Sequence, residues 1–210
     1  MKTKLIVLFL LFFILGFAQQ VQLDLKSLEK NLKDPKSNYH YDKVLFKYLG
    51  YPQSMDSTDI QYLYYGRNFA GTKVSMTDED FKKLVEYYRD EKFTEAAQLG
   101  EQLFKKDPSN LDVLLILLQS LKNIGNEKDF IFRLHQFRTL ITAIKNSGDG
   151  KTEKTPIIVN SVGDEYIFLN TQNIKLDGFN RTSKVLQDGM MDVWTKGNES
   201  IYVKILYLTY

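Results

Sequence analysis

The chain has 210 residues, of which 43% are apolar and 26% charged, the balance of an ordinary globular protein. Its formal charge of +2 comes from Lys2 and Lys4, and no acid precedes Gln19, so the rest of the chain is neutral and lacks the field that gathers nucleic acid. Cysteine is absent, which excludes disulfides, a thiol nucleophile and thiolate metal ligands, and the two histidines, His40 and His135, are too far apart in sequence to form a metal motif.

Lys2 and Lys4 precede an unbroken apolar run over 5–15, and Gly16-Phe17-Ala18 then places small residues where a signal peptidase reads. The pattern predicts a secretory signal peptide over 1–18, cut after Ala18, because the run is shorter than the roughly 20 residues that cross a bilayer. The expected location is therefore periplasmic or secreted, with no stable membrane span after cleavage. No cysteine follows the small residues, so lipid attachment there is not expected.

Residues 21–32 carry Leu23, Leu25, Leu28 and Leu32 at helical spacing and stop at Asp34-Pro35, since a residue before proline disfavours helix. A second helix is predicted over 42–49, inside an aromatic-rich stretch that Gly50-Tyr51-Pro52 ends. Asp56, Ser57, Thr58 and Asp59 then offer N-caps to a helix carrying Tyr62, Tyr64 and Tyr65, with Gly66 as its C-cap. These tyrosines would bury one face and leave their phenol tips in water; the functional alternative is a sugar-stacking platform.

The clearest organisation runs from 77 to 145. Thr77 with Asp80 forms a capping-box pattern ahead of the stripe Phe81, Leu84, Val85 and Tyr88. Phe93, Ala96 and then Asp107-Pro108-Ser109-Asn110 resemble the second half of a tetratricopeptide repeat. The small Ala96 admits a close antiparallel neighbour, and Pro108 forces a turn. The next pair of helices carries Leu114, Leu117 and Leu121, a turn at Gly125, then Phe130, Leu134, Phe137, Ile141 and Ile144. About two hairpins are fewer than the three or more repeats of a free-standing solenoid, so the remaining chain must cover an exposed end.

Ser147-Gly148-Asp149-Gly150 breaks the last helix. Strands are predicted over 156–162 and 165–169, joined by a hairpin turn at Gly163-Asp164. A polar interval with a short helix near 183–186 follows. A third strand over 190–195, a turn at Lys196-Gly197-Asn198 and a fourth strand over 200–209 complete the chain. The expected architecture is α+β: a tetratricopeptide-like helical region over 19–146, packed in one shared domain with an antiparallel β-sheet over 147–210.

Leu63-Tyr64-Tyr65-Gly66, Asp107-Pro108, Ser147-Gly148-Asp149-Gly150, Val159 leading to Glu165-Tyr166, and Ile201-Tyr202-Val203 occur in an order and spacing that resemble the domain of unknown function 4919 family of exported bacterial proteins. The resemblance covers nearly all of the chain beyond Ala18. It implies export and a helix-plus-sheet layout, and it transfers no catalytic residue.

Two features invite chemistry. The glycine-flanked Asp149 has the look of a calcium or anion loop, but Lys151 and Thr152 do not continue a ligand pattern, so a helix C-cap and tight turn is the favoured reading. Glu165 with Asp149 or Asp164 would make an acid–base pair if the carboxyls met in a cleft about 5–10 Å apart. Neither Gly-x-Ser-x-Gly nor His-Glu-x-x-His occurs, and Trp194, the only tryptophan, reads as packing. No catalytic, cofactor-binding or metal residue is assigned, and no cofactor is implied. The favoured function is a non-catalytic module for a protein or peptide partner in the cell envelope. A carboxylate-dependent hydrolase of envelope or extracellular polymers and a glycan or small-ligand binder using 62–65 are the alternatives.

Overall fold

The computed structural model describes residues 24–69, 71 and 73–207. The expected signal peptide lies outside the described residues. Helix α1 (Leu25–Lys33) starts at Asp24, whose carboxylate accepts from the amides of Lys26 and Ser27, and it buries Leu28 and Leu32. Helix α2 (Tyr41–Gly50) buries Val44 and Tyr48. A short turn of 3₁₀ helix (Pro52–Ser54) leads to α3 (Ser57–Gly66), which Asp56 and Asp59 hold with a reciprocal capping box. Gly66 does not cap this helix. The chain runs on into a 3₁₀ turn (Arg67–Phe69), and a Cβ at Gly66 would crowd the side chains of Leu32 at 3.1 Å and Tyr41 at 3.2 Å.

Four helices follow: α4 (Glu79–Arg89), α5 (Phe93–Lys106), α6 (Leu111–Asn123) and α7 (Glu127–Lys145). Each packs on the next, and α4 also touches α6. Ala96 is fully buried, and at Gly100 a Cβ would sit 3.3 Å from Leu117, so small residues set the close approach of α5 and α6. Asn110 caps α6 by accepting from the Val113 amide, and Gly125 turns the chain with φ +71°. The capping box expected at Thr77 does not form. Asp78 accepts from the Ser75 amide instead, Thr77 bonds Ser75 through its hydroxyl, and α4 starts at Glu79.

The C-terminal part differs from expectation in three ways. The residues expected to form the Gly163-Asp164 turn and a returning strand form helix α8 (Val162–Thr171) instead. The physical reason is Ser161, whose hydroxyl accepts from the Asp164 amide as an N-cap, together with buried Glu165, Phe168 and Leu169 at helical spacing. The segment expected to hold a short helix is strand β2 (Asn180–Leu186). As an edge strand exposed at nearly every position, it shows no alternation of apolar and polar residues. Finally, the sheet is mixed rather than antiparallel. Strand β1 (Ile157–Val159) pairs parallel with β4 (Glu199–Leu206), and β4, β3 (Gly189–Lys196) and β2 form an antiparallel meander in the order β1-β4-β3-β2.

The helices close the free edge of β1. Ile158 donates its amide to Ser147 Oγ (2.8 Å), and its carbonyl accepts from the Tyr65 hydroxyl (3.1 Å), so side chains replace a fifth strand. One hydrophobic cluster runs from Leu28 through Leu63, Leu114 and Ile144 to Val203 and Ile205. The fold class is α+β.

Candidate functional site

Three polar constellations and one exposed patch are the places where chemistry is possible. The first joins α3 to β1 and α8. The Tyr64 hydroxyl donates to Asp164 Oδ2 (2.5 Å) and accepts from the Asn160 amide (3.0 Å), and Asn160 Nδ2 donates back to the Tyr64 carbonyl (2.7 Å). Burial pushes the Asp164 carboxyl up to about 6, against the lowering effects of the Tyr64 hydroxyl and the Arg67 charge. The tyrosine tips expected in water are therefore interior hydrogen-bonding groups. Tyr64 and Tyr65 are fully buried, and Tyr62 stacks on Tyr39 at 4.5 Å. Buried rings remove the glycan-platform reading.

The second constellation is the corner at Asp107. Arg67 Nη2 and Nε donate to its carboxylate at 2.6 and 2.9 Å, and the Val74 amide donates at 2.9 Å. All of these groups are protein-facing, so the corner ties the segment after α3 to the α5–α6 turn.

The third lies between α8 and the sheet. Trp194 Nε1 donates to Glu165 Oε1 (2.7 Å), Ser183 Oγ donates to Asp192 Oδ1 (2.5 Å), and Arg181 Nε lies 3.2 Å from Asp192 Oδ2. Glu165 and Asp192 are both fully buried. Burial, with Asp192 close by, raises the Glu165 carboxyl to about 7, and the Trp194 bond and the Arg181 charge oppose the rise. Glu165 does have an acid beside it, but that acid is Asp192 and not the expected Asp149 or Asp164. Asp164 turns to Tyr64, Glu165 meets Asp192, and Asp149 sits on an exposed turn. There Thr155 Oγ1 (2.6 Å) and the Lys151 amide (3.1 Å) bond the Asp149 carboxylate and hold it below the usual range. The Ser147–Gly150 segment is a turn, as read: Ser147 Oγ donates to the Ile144 carbonyl and Gly150 has φ +66°.

The exposed feature lies elsewhere. Phe46, Leu49 and Tyr51 project from the end of α2, with Phe46 69% and Tyr51 62% exposed and their rings 6.5 Å apart. The chain passes from Tyr51 into a shallow cavity of about 190 Å³, lined by Pro52, Gln53, Ile60, His135, Arg138 and Thr142 among others. Arg138 is exposed and makes no side-chain hydrogen bond or ion pair among the described residues. In the sequence Tyr51 reads as part of the segment that ends the second helix, and His135 carries no assigned role. A signal existed only for Asp192, a lone acid between Met191 and Val193 in an apolar strand.

Among the described residues no helix is long and apolar enough to cross a membrane, and no group of three histidine, cysteine or acidic side chains is placed to hold a metal ion. The helical layer and the four-stranded mixed sheet define an α+β protein. The chain belongs to the family described as Domain of unknown function (DUF4919), whose family model matches residues 26–208. Neither a curated protein nor a solved structure matches it.

Proposed function

We propose that the protein is an exported, non-catalytic binding module that takes a peptide segment carrying an apolar side chain next to an acidic one. The observation that carries this reading is the exposed Phe46–Leu49–Tyr51 patch leading into the cavity beside the unpaired Arg138. Large apolar side chains left in water forgo roughly 25 cal/mol per Å² of burial, and contiguous exposed patches mark interaction surfaces. An apolar side chain of the partner recovers that burial, and its carboxylate meets the Arg138 guanidinium, which favours planar anions. Export rests on the pattern of residues 1–18. The carboxyls that acid–base catalysis would need are either closed under Arg181 and Trp194 or isolated on a turn, which supports a binding role over hydrolysis.

The test is fluorescence anisotropy with labelled short peptides pairing Phe or Leu with Asp or Glu. Binding in the micromolar range is expected, weakened about tenfold or more by the double variant Phe46→Ala, Tyr51→Ala. Arg138→Gln should weaken only the acidic peptides and flatten their salt dependence. All three side chains are largely exposed, so the variants should retain the fold. Equal affinity in wild type and variants, or no binding by any peptide of the panel, would reject the proposal.

A further inference from the structure

The strand register places Arg181, Ser183 and Val185 of β2 on the same face of the sheet as Met190, Asp192 and Trp194 of β3. Helix α8 brings Glu165 down onto this face, where Tyr166 meets Trp194 edge-on at 5.7 Å and accepts from Arg181 Nη1 at 3.3 Å. One oxygen of each carboxyl has a donor: Trp194 serves Glu165 and Ser183 serves Asp192. The other oxygens, Glu165 Oε2 and Asp192 Oδ2, are buried and accept from no donor among the described residues. Arg181 Nε is near Asp192 Oδ2 but off the line of a hydrogen bond. Trp194, which holds Glu165, lies two positions along β3 from Asp192 on the same face, so both carboxyls are gathered at one buried spot. Buried acceptors are rarely left unsatisfied, and two facing carboxyl oxygens are satisfied by one proton between them.

We propose that Glu165 and Asp192 share a single proton and so form a pH-sensitive latch that fastens helix α8 to the β2–β3 face of the sheet. Loss of that proton places two carboxylates against each other in a dry site, with Arg181 the one cation acting on Glu165 among the described residues. The groups facing the pair are Trp194 on β3, Arg181 and Ser183 on β2, Tyr166 on α8 itself and Tyr207 beyond β4. Strand β1 has only Ile157, Ile158 and Val159, and α6 brings Asp112 against Gly163 at the start of α8. The raised Glu165 carboxyl, at about 7, agrees with the geometry. The sign follows directly. A carboxyl that is more basic folded than unfolded contributes its full stability below the unfolded value near 4.5, and that contribution is lost as pH rises through about 7. Asp164 behaves in the same way at a lower pH, about 6, but it bonds Tyr64 and not the sheet.

The test is hydrogen–deuterium exchange of α8, corrected for the intrinsic pH dependence, from about pH 5 to about pH 9. In wild type, protection of α8 should fall about tenfold or more across a step that is under way at about pH 5 and complete near pH 7, with a plateau above it. Glu165→Gln should remove the step, because its amide donates to Asp192 Oδ2 at every pH. Asp192→Asn should move the step to lower pH by removing the like charge, and it serves as the independent variant if Glu165→Gln fails to fold. Asp164→Asn should leave the step in place. A step unchanged in Glu165→Gln or in Asp192→Asn, or no step in wild type, would overturn the latch.

Discussion

Asp107→Ala is expected to lower the unfolding free energy by about 3–5 kcal/mol, the largest loss from any single side chain outside the apolar core. The Arg67 side chain is only 11% exposed and Asp107 only 2%, so the guanidinium left behind is buried without a counter-charge. The same carboxylate also receives the Val74 amide at 2.9 Å and lies 3.4 Å from Asn110 Nδ2, so truncation orphans more than the ion pair. Asn110 in turn caps α6, so the damage should reach the turn between α5 and α6. Urea denaturation at neutral pH measures the loss. The double variant Arg67→Met, Asp107→Leu should recover a large part of it, since replacing both partners removes the desolvated charge. A loss below about 1 kcal/mol for Asp107→Ala would mean that solvent reaches Arg67 freely and the corner is not the fastening described here.

Gly148→Ala against Asp149→Ala is the second comparison. A Cβ at Gly148 would lie 1.9 Å from the Pro156 carbonyl oxygen and 2.7 Å from that of Thr155. Both obstacles are backbone, so no side-chain rotation relieves them, and the chain entering β1 must move. The expected cost is about 2–3 kcal/mol or more. Asp149 is exposed and bonds neighbours in its own turn, so Asp149→Ala should cost far less than Gly148→Ala. Thermal denaturation of the two variants reads the contrast. A neutral Gly148→Ala, or an Asp149→Ala as damaging as its neighbour, would contradict the reading of this segment as a turn held by close backbone approach.

The helices were legible because each buries a face at a spacing the sequence displays: Leu28 with Leu32, Leu114 with Leu117 and Leu121, Phe137 with Leu140 and Ile144. Strands β3 and β4 were legible through alternation and the turn at Gly197. Residues 162–171 misled because a short apolar run broken by Gly163-Asp164 fits a hairpin as well as a capped helix; only Ser161, three residues before Asp164, favours the helix. Parallel pairing of Ile157–Val159 with β4 joins segments more than forty residues apart, and no local pattern encodes it. Glu165 stood out in the sequence as an acid beside Tyr166, yet it lies on helix α8 and its neighbour Asp192 comes from strand β3. The partner follows from the sheet register, which periodicity alone does not supply. Exposed Phe46 and Tyr51 were equally hidden, because an aromatic in a mixed stretch reads as core until the packing shows which ring is left over.

The binding surface is the central claim, and amide NMR of the chain beyond Ala18, titrated with the tightest peptide of the panel, tests it most directly. The account predicts that shift changes cluster at residues 46–55 and 135–142, around Phe46, Tyr51 and Arg138. Changes confined instead to α8 and to β2 and β3, around Glu165, Arg181 and Trp194, would place the ligand on the sheet and contradict the assignment.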